Sequence, residues 1–292
     1  MAACTLPFYR LSPGGNPTIL VRDESLLLPT FPHEKRAAIA RTLMDADTLG
    51  AEQVGFLDAS KPLPHMEMMG GEFCINATRS AALVFALLGL LPETSPGCHE
   101  GMMTTSGTAN PIRVRVFPPP AGSSLPHGTE REAAIAVPLA ADAQIALIQK
   151  CAPGEALVRL PGITHLLLDG TRHPLPKSLL TAAESKRAEY GLDAEEAAGV
   201  IWYCAESREQ ISITPVVHVR ATDSSVAETA CGSGSLALAL LLAQSGMTAF
   251  SFCQPSGHTI SITLEPSDSS ENGLTAWVSG IVRLTALGTA YI

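Results

Sequence analysis

Phe73-Cys74-Ile75-Asn76-Ala77-Thr78-Arg79-Ser80, continuing as AALVFALLGLL to Leu91, and Ala230-Cys231-Gly232-Ser233-Gly234-Ser235, continuing as LALALLLAQSG to Gly246, are the stretches that decide the fold. Each sets a cysteine, then small or amide residues, directly before an apolar run. A helix with no polar face must be covered on every side. The runs Ala81–Leu91 and Leu236–Ala243 are both too short for a membrane span, which needs about eighteen residues or more. They read as buried core helices over Asn76–Leu91 and Ser235–Ala243, the second stopped by Gly246. The two cysteines lie 157 residues apart in a chain of 292. That spacing predicts two similarly built halves, each with a helix enclosed by a sheet, and not a short-period repeat.

Around these helices the pattern is mostly strand. Thr18–Val21 follows the Pro13-Gly14-Gly15-Asn16 turn, and Glu52–Leu57 is apolar. Ile112–Val116 alternates with Arg113 and Arg115, as a half-buried strand does. Further strands are expected at Leu157–Leu160, His165–Leu168, Val200–Cys204, Ile211–Val219, Ala249–Phe252, Thr259–Leu264, Thr275–Val278 and Ile281–Leu287. Glu34–Asp45 and Pro176–Tyr190 have helical spacing. Phe117–Gly128, rich in Pro, Gly and Ser, is a loop; composition allows either a domain linker or a long hairpin.

Hydrophobic residues are 46% and charged residues 16%, which excludes disorder as the main state. A net charge of −9 lacks the basic footprint of a nucleic-acid binder and the polybasic surface that binds anionic membranes. The seven cysteines form no CxxC pair, so no zinc ribbon or thioredoxin motif is expected, and reduced cytosolic thiols are. Cys4, Cys98, Cys151, Cys204 and Cys253 read as inert core thiols.

Cys74 and Cys231 differ from these through their setting. A helix start has backbone N–H groups without intrahelical partners and roughly half a positive charge. It favours a thiolate and binds a carboxylate. Asn76 is placed to cap the first helix, and Ser233 or Ser235 the second. If the two sites face each other across one substrate, one thiolate removes an α-proton and the opposite thiol returns a proton to the other face. Inversion of this kind uses no metal and no pyridoxal phosphate. A nucleophilic cysteine with His65 or His165 as its base is a rival role.

These residues resemble the diaminopimelate epimerase superfamily of cofactor-independent epimerases. Glu228–Gly234 (ETACGSG) is similar to that family's second-cysteine motif, and Cys74–Arg79 (CINATR) to its first, with Ile75 in place of glycine. Within the superfamily the chain resembles the histidine racemases of staphylopine-type opine metallophore synthesis. That likeness is carried by Ser12–Val21, Glu52–Leu57, Gly71–Ser80, Glu228–Ser235, Gln254–Gly257 and Ala286–Ile292. It implies an α/β (α+β) fold of two pseudo-symmetric domains, each a curled, mostly antiparallel sheet around one buried helix, with the active site in the cleft between them. The expected domains are 1–140 with 282–292, and 141–281, which makes 117–128 a hairpin loop. By the resemblance, Cys74 and Cys231 are catalytic and Asn16, Gln53 and His165 match substrate-side positions. Ile75, Asn76, Gly232 and Ser233 hold the α-carboxylate through their backbone. Glu52 is either an amino-group contact or a strand-edge charge, and Glu228 supports the loop before the second helix.

The diaminopimelate family's polar segments are replaced here by His65–Glu72, Gly162–His165 and Arg220–Val226. A pocket without the clamp for a distal zwitterion rejects diaminopimelate, so a compact amino acid is expected. The sequence thus points to a cytoplasmic, cofactor-free amino-acid racemase, with histidine its expected substrate, and leaves room for a homodimer. An isomerase of another small carboxylate and a non-catalytic amino-acid-binding protein are the rival functions.

Overall fold

The structure is a computed structural model that describes residues 5–22, 33–119, 129–139, 147–207, 211–267 and 273–292. It is a mostly-sheet α+β chain of two compact units, Met1–Ile135 with Ser279–Ile292, and Ala136–Val278. Among the described residues no helix is long and apolar enough to cross a membrane.

The first unit contains β1 (Thr5–Pro13), β2 (Thr18–Arg22), α1 (His33–Met44), β3 (Gln53–Asp58), β4 (His65–Met68), α2 (Ile75–Leu87), β5 (Glu93–Ser95), β6 (Cys98–Thr105) and β7 (Ile112–Val116). β8 (Glu130–Leu139) begins in it and β17 (Leu274–Tyr291) ends in it. The strands pair in the ring β1, β2, β3, β4, β6, β7, β8, β17 and back to β1. Phe117 N–H to Glu132 O (2.9 Å) joins β7 to β8, and Leu284 N–H to Thr129 O (2.7 Å) joins β17 to the start of β8. β2–β3 and β4–β6 are parallel, so the sheet is mostly but not wholly antiparallel.

α2 lies against six of the ring strands. Every residue from Ile75 to Ala86 is buried, which is why its sequence has no polar stripe. The helix ends at Leu87, not at Leu91. Gly89 has φ +71°, and Leu87, Leu88 and Leu90 are about two-fifths exposed. The apolar run therefore outlasts the helix, and hydrophobicity alone does not mark where it stops. α1 covers the outside of the ring, with Ala40 and Leu43 packed on Val54 and Phe56.

The second unit contains β9 (Ile148–Ala152), β10 (Glu155–Leu160), β11 (Ile163–Asp169), α3 (Leu179–Glu189), β12 (Ala197–Ala205), β13 (Ile211–Val219), β14 (Ser224–Ala227), α4 (Gly232–Ala243), β15 (Ala249–Cys253) and β16 (Thr259–Pro266). α4 packs on β10, β11, β15 and β16. α3 covers the other face of the sheet, where Ala183 meets Leu157, Leu166, Val200 and Trp202. The expected strands at 275–278 and 281–287 are one continuous strand, β17; Ser279 and Gly280 do not break it. Residues 120–128 of the Pro-rich stretch, the expected boundary at 140–142 and Cys4 lie outside the described residues.

His165 on β11 is wholly buried, and neither ring nitrogen has a partner. It is opposite Gly199 of β12, where a Cβ would come within 2.1 Å of the ring Nδ1. Glycine makes the space that the imidazole fills. Burial lowers the pKa of His165 from 6.5 to about 3, so the ring is neutral at physiological pH. The unfolded chain takes a proton here below pH 6.5 that the folded chain refuses until about pH 3. Stability is therefore lost as pH falls through that window. Denaturant unfolding at a series of pH values should show wild type losing on the order of 4 kcal/mol more than His165→Leu across it. Equal acid slopes would contradict this.

Candidate active site

In the first unit the turn between β1 and β2 buries Asn16, and the parallel register sets Thr18 beside Gln53. These groups form a chain whose direction is fixed at one end. Glu52 Oε2 accepts from Asn16 Nδ2 at 2.6 Å. A carboxylate only accepts, so the Asn16 amide must turn its oxygen the other way. That oxygen and Thr18 Oγ1 each accept from Gln53 Nε2 at 2.7 Å. Gln53 must then point its own oxygen at Cys74, whose Sγ–H donates to it at 2.8 Å. Glu52 is thus more than a bare strand-edge charge: through Asn16 it turns the Gln53 oxygen toward the Cys74 sulfur.

Cys74 is itself the N-cap of α2, its sulfur accepting from Ala77 N–H at 3.5 Å. The cap expected of Asn76 belongs to Cys74, while Asn76 Oδ1 accepts from Arg79 Nη2 at 2.8 Å. Ile75 and Asn76 occupy the first turn. The loop before Cys74 is braced by Ser106, whose hydroxyl donates to Glu72 O and accepts from Met68 N–H, both at 2.8 Å. Gly107, with φ +72°, allows the close approach of Phe73, since a Cβ there would come within 2.2 Å of Phe73 N.

In the second unit Cys231 is likewise the N-cap of its helix, its sulfur accepting from Gly234 N–H at 3.3 Å. The caps expected of Ser233 or Ser235 are replaced by the cysteine. Ser233 Oγ lies 3.5 Å from the sulfur, and Ser235 Oγ donates to Cys231 O at 2.7 Å. Gln254 holds this turn from β15's end: its Oε1 accepts Cys231 N–H at 2.9 Å, and its Nε2 donates to Ser235 Oγ at 3.0 Å. Gly232 and Gly234 are buried in the first turn. His165 is on a strand that packs on α4, neutral and enclosed.

The electrostatics at Cys231 run against the helix-start expectation of a lowered thiol pKa. Burial pushes the Cys231 thiol up, and the adjacent carboxylate of Glu228, which accepts its hydrogen bond, pushes it further. Ser233 and the Gly234 N–H oppose this without overcoming it. Cys231 is a protonated thiol at neutral pH. Glu228, expected to support a loop, does so through its N–H to Pro215 O and also places its carboxylate against the Cys231 sulfur.

Thr18, Gln254 and Ser106 were not expected in the site. Thr18 and Gln254 stand in stretches that carry the family likeness, but nothing local marks any of the three. Cys151, Cys204 and Cys253 are exposed and Cys98 half-buried, so these are not the core thiols expected. Among the described residues no group of three His, Cys, Asp or Glu side chains could hold a metal ion.

Two units thus each offer a thiol at the N-terminus of a buried helix, set in a polar network. A family profile described as "Histidine racemase CntK N-terminal domain" matches residues 5–291. A histidine racemase from Fusobacterium nucleatum is 26% identical over 288 residues, covering 98% of this chain and 97% of its own. Among solved structures, a hydroxyproline epimerase from Agrobacterium vitis aligns with TM-score 0.66 at 11% identity, covering 99% of this chain and 93% of that one. A probable proline racemase from Agrobacterium radiobacter aligns with TM-score 0.68 at 11% identity, over 97% and 92% of the two chains. At such identities the solved structures speak for the fold; the profile match over nearly the whole length shows that the chain belongs to the histidine racemase family.

Proposed function

We propose that this protein racemises free histidine, with Cys74 and Cys231 exchanging protons with the two faces of one α-carbon, and that the D-histidine serves opine-type metallophore synthesis. The observation that carries the reading is the repeated half-site: a cysteine that caps a buried helix, once in each unit. For this chemistry the two helix starts must serve one substrate carboxylate. The first-turn N–H groups at Ile75, Asn76, Gly232 and Ser233 would hold that carboxylate. Asn16, Glu52 and Gln53 would meet the amino group, for which the Glu52 carboxylate is the natural partner.

The α-proton then leaves to one sulfur as the other sulfur's proton arrives on the opposite face. Helix-start N–H groups and the carboxylate site stabilise the charge that builds in between. In one direction Cys231, held protonated beside Glu228, is the acid. The reverse direction uses the same pair with roles exchanged. One sulfur takes up the α-proton and the other gives up its own, so the proposal calls for no cofactor.

Chiral separation of products from L-histidine tests this. Cys74→Ala and Cys231→Ala should each lower turnover by roughly 10²–10⁴-fold, while Cys253→Ala, at an exposed thiol, leaves it near wild type. Full turnover in either of the first two variants would contradict the assignment. Binding of histidine with no turnover in wild type would favour a binding protein of the same fold. Turnover confined to another small amino acid would move the substrate and keep the chemistry.

Glu228 gives a signed pH prediction. Its charge and hydrogen bond raise the Cys231 pKa, so Glu228→Gln lowers it. The high-pH limb of kcat/KM, where the acid thiol loses its proton, should therefore move to lower pH in Glu228→Gln. An unmoved limb would mean that Cys231 is not that acid.

A further inference from the structure

Arg79 is the largest wholly buried side chain among the described residues, and it is charged. It is the fifth residue of α2, the helix capped by Cys74. Helical side chains lean toward the N-terminus, and Arg79 reaches back one turn to donate to Asn76 at 2.8 Å. Its Nε and Nη1 are buried without a partner. Burial lowers its pKa only to about 10, so it stays cationic at neutral pH. The anionic groups in Coulombic reach of it are Cys74 and Glu132 of β8. An enclosed, under-bonded guanidinium is a costly thing for a fold to keep.

The other half-site has no such cation in its helix. The fifth residue of α4 is Leu236, and the charge touching Cys231 is the carboxylate of Glu228. One sulfur is backed by a cation and the other faces an anion.

We infer that Arg79 is a positioning residue that decides which cysteine carries the negative charge in the resting enzyme, making Cys74 the thiolate and Cys231 the thiol. Gln53 acts against it by accepting the Cys74 proton. A thiol is a weak donor to a neutral amide, whereas a full opposite charge in an enclosed site favours ionisation strongly. The Glu52 carboxylate stands two residues away along the hydrogen-bond chain, bound by Asn16, and several charges on the strands around α2 are engaged with other partners. Arg113 and Arg115 of β7 bind Glu100 of β6, and His65 binds Glu67 on β4. Arg10 of β1 donates to Gly50 O, and Asp58 of β3 holds Ser60. Around α4, Glu155 is bound by Lys186, Arg159 by Gln149 and Glu265 by Trp277, and His165 is neutral.

The inference uses the acid–base role proposed for Cys74, but its test reads the thiols with no substrate present. Peptide-resolved alkylation by iodoacetamide across a pH series gives a midpoint for each cysteine, which separates ionisation from access. Wild type should show the Cys74 midpoint below that of Cys231. Arg79→Met should slow Cys74 labelling at neutral pH by about tenfold or more through a raised midpoint. Arg79→Lys should restore much of it, and Cys231 should not move. Glu132→Gln, which removes the opposing anion, should lower the Cys74 midpoint and keeps the test available if Arg79→Met does not fold. A Cys74 midpoint unchanged in folded Arg79→Met, or raised in Glu132→Gln, would overturn the inference. Racemisation lost in Arg79→Met with labelling unchanged would make Arg79 merely structural and leave the two-cysteine reading standing.

Discussion

A helix with apolar residues on every side can exist in water only if something encloses it, and that constraint organises this protein. In the first unit eight strands close around α2; in the second α4 packs on four strands. The first turn of such a helix still offers backbone N–H groups that have no partner within the helix. A cysteine at the cap then does two jobs. Its sulfur accepts one of the orphan N–H groups, and the same sulfur is held at the positive end of the helix.

The two half-sites share this plan and differ in what surrounds the sulfur. Cys74 closes a chain of oriented amides that begins at the Glu52 carboxylate and has a guanidinium behind it. Cys231 is more deeply buried and touches the carboxylate of Glu228. A pair of proton carriers acting at one carbon must begin in opposite protonation states, and unlike surroundings are a physical means to that end. Helix position alone would treat both sulfurs alike; burial and neighbouring charge decide against it at Cys231.

Much of this was legible in the sequence because two signals are local. All-round apolarity marked both enclosed helices, and a cysteine followed by small residues marked both helix starts. Alternation placed Ile112–Val116 within a residue. Other features depend on contacts between distant segments. Leu87–Leu91 is as apolar as the helix before it, and only Gly89's backbone ends the element. Both caps are sulfur, while Asn76 is claimed by Arg79 and Ser235 by Gln254 just past β15. The Cys231 thiol is raised by burial, which no spacing reveals. β17 runs unbroken across Ser279 and Gly280, where composition suggested a break.

The central claim is that two different sulfurs serve opposite faces of one α-carbon, and isotope labelling tests it most directly. L-histidine is incubated with the enzyme in deuterium oxide, and the α-position of each enantiomer is read by mass spectrometry early in the reaction. A thiol holds one proton, so two bases require that newly formed D-histidine carry solvent deuterium while the remaining L-histidine keeps its hydrogen. Deuterium appearing equally in both enantiomers, or original hydrogen retained in the product, would mean that a single base serves both faces and would contradict the account.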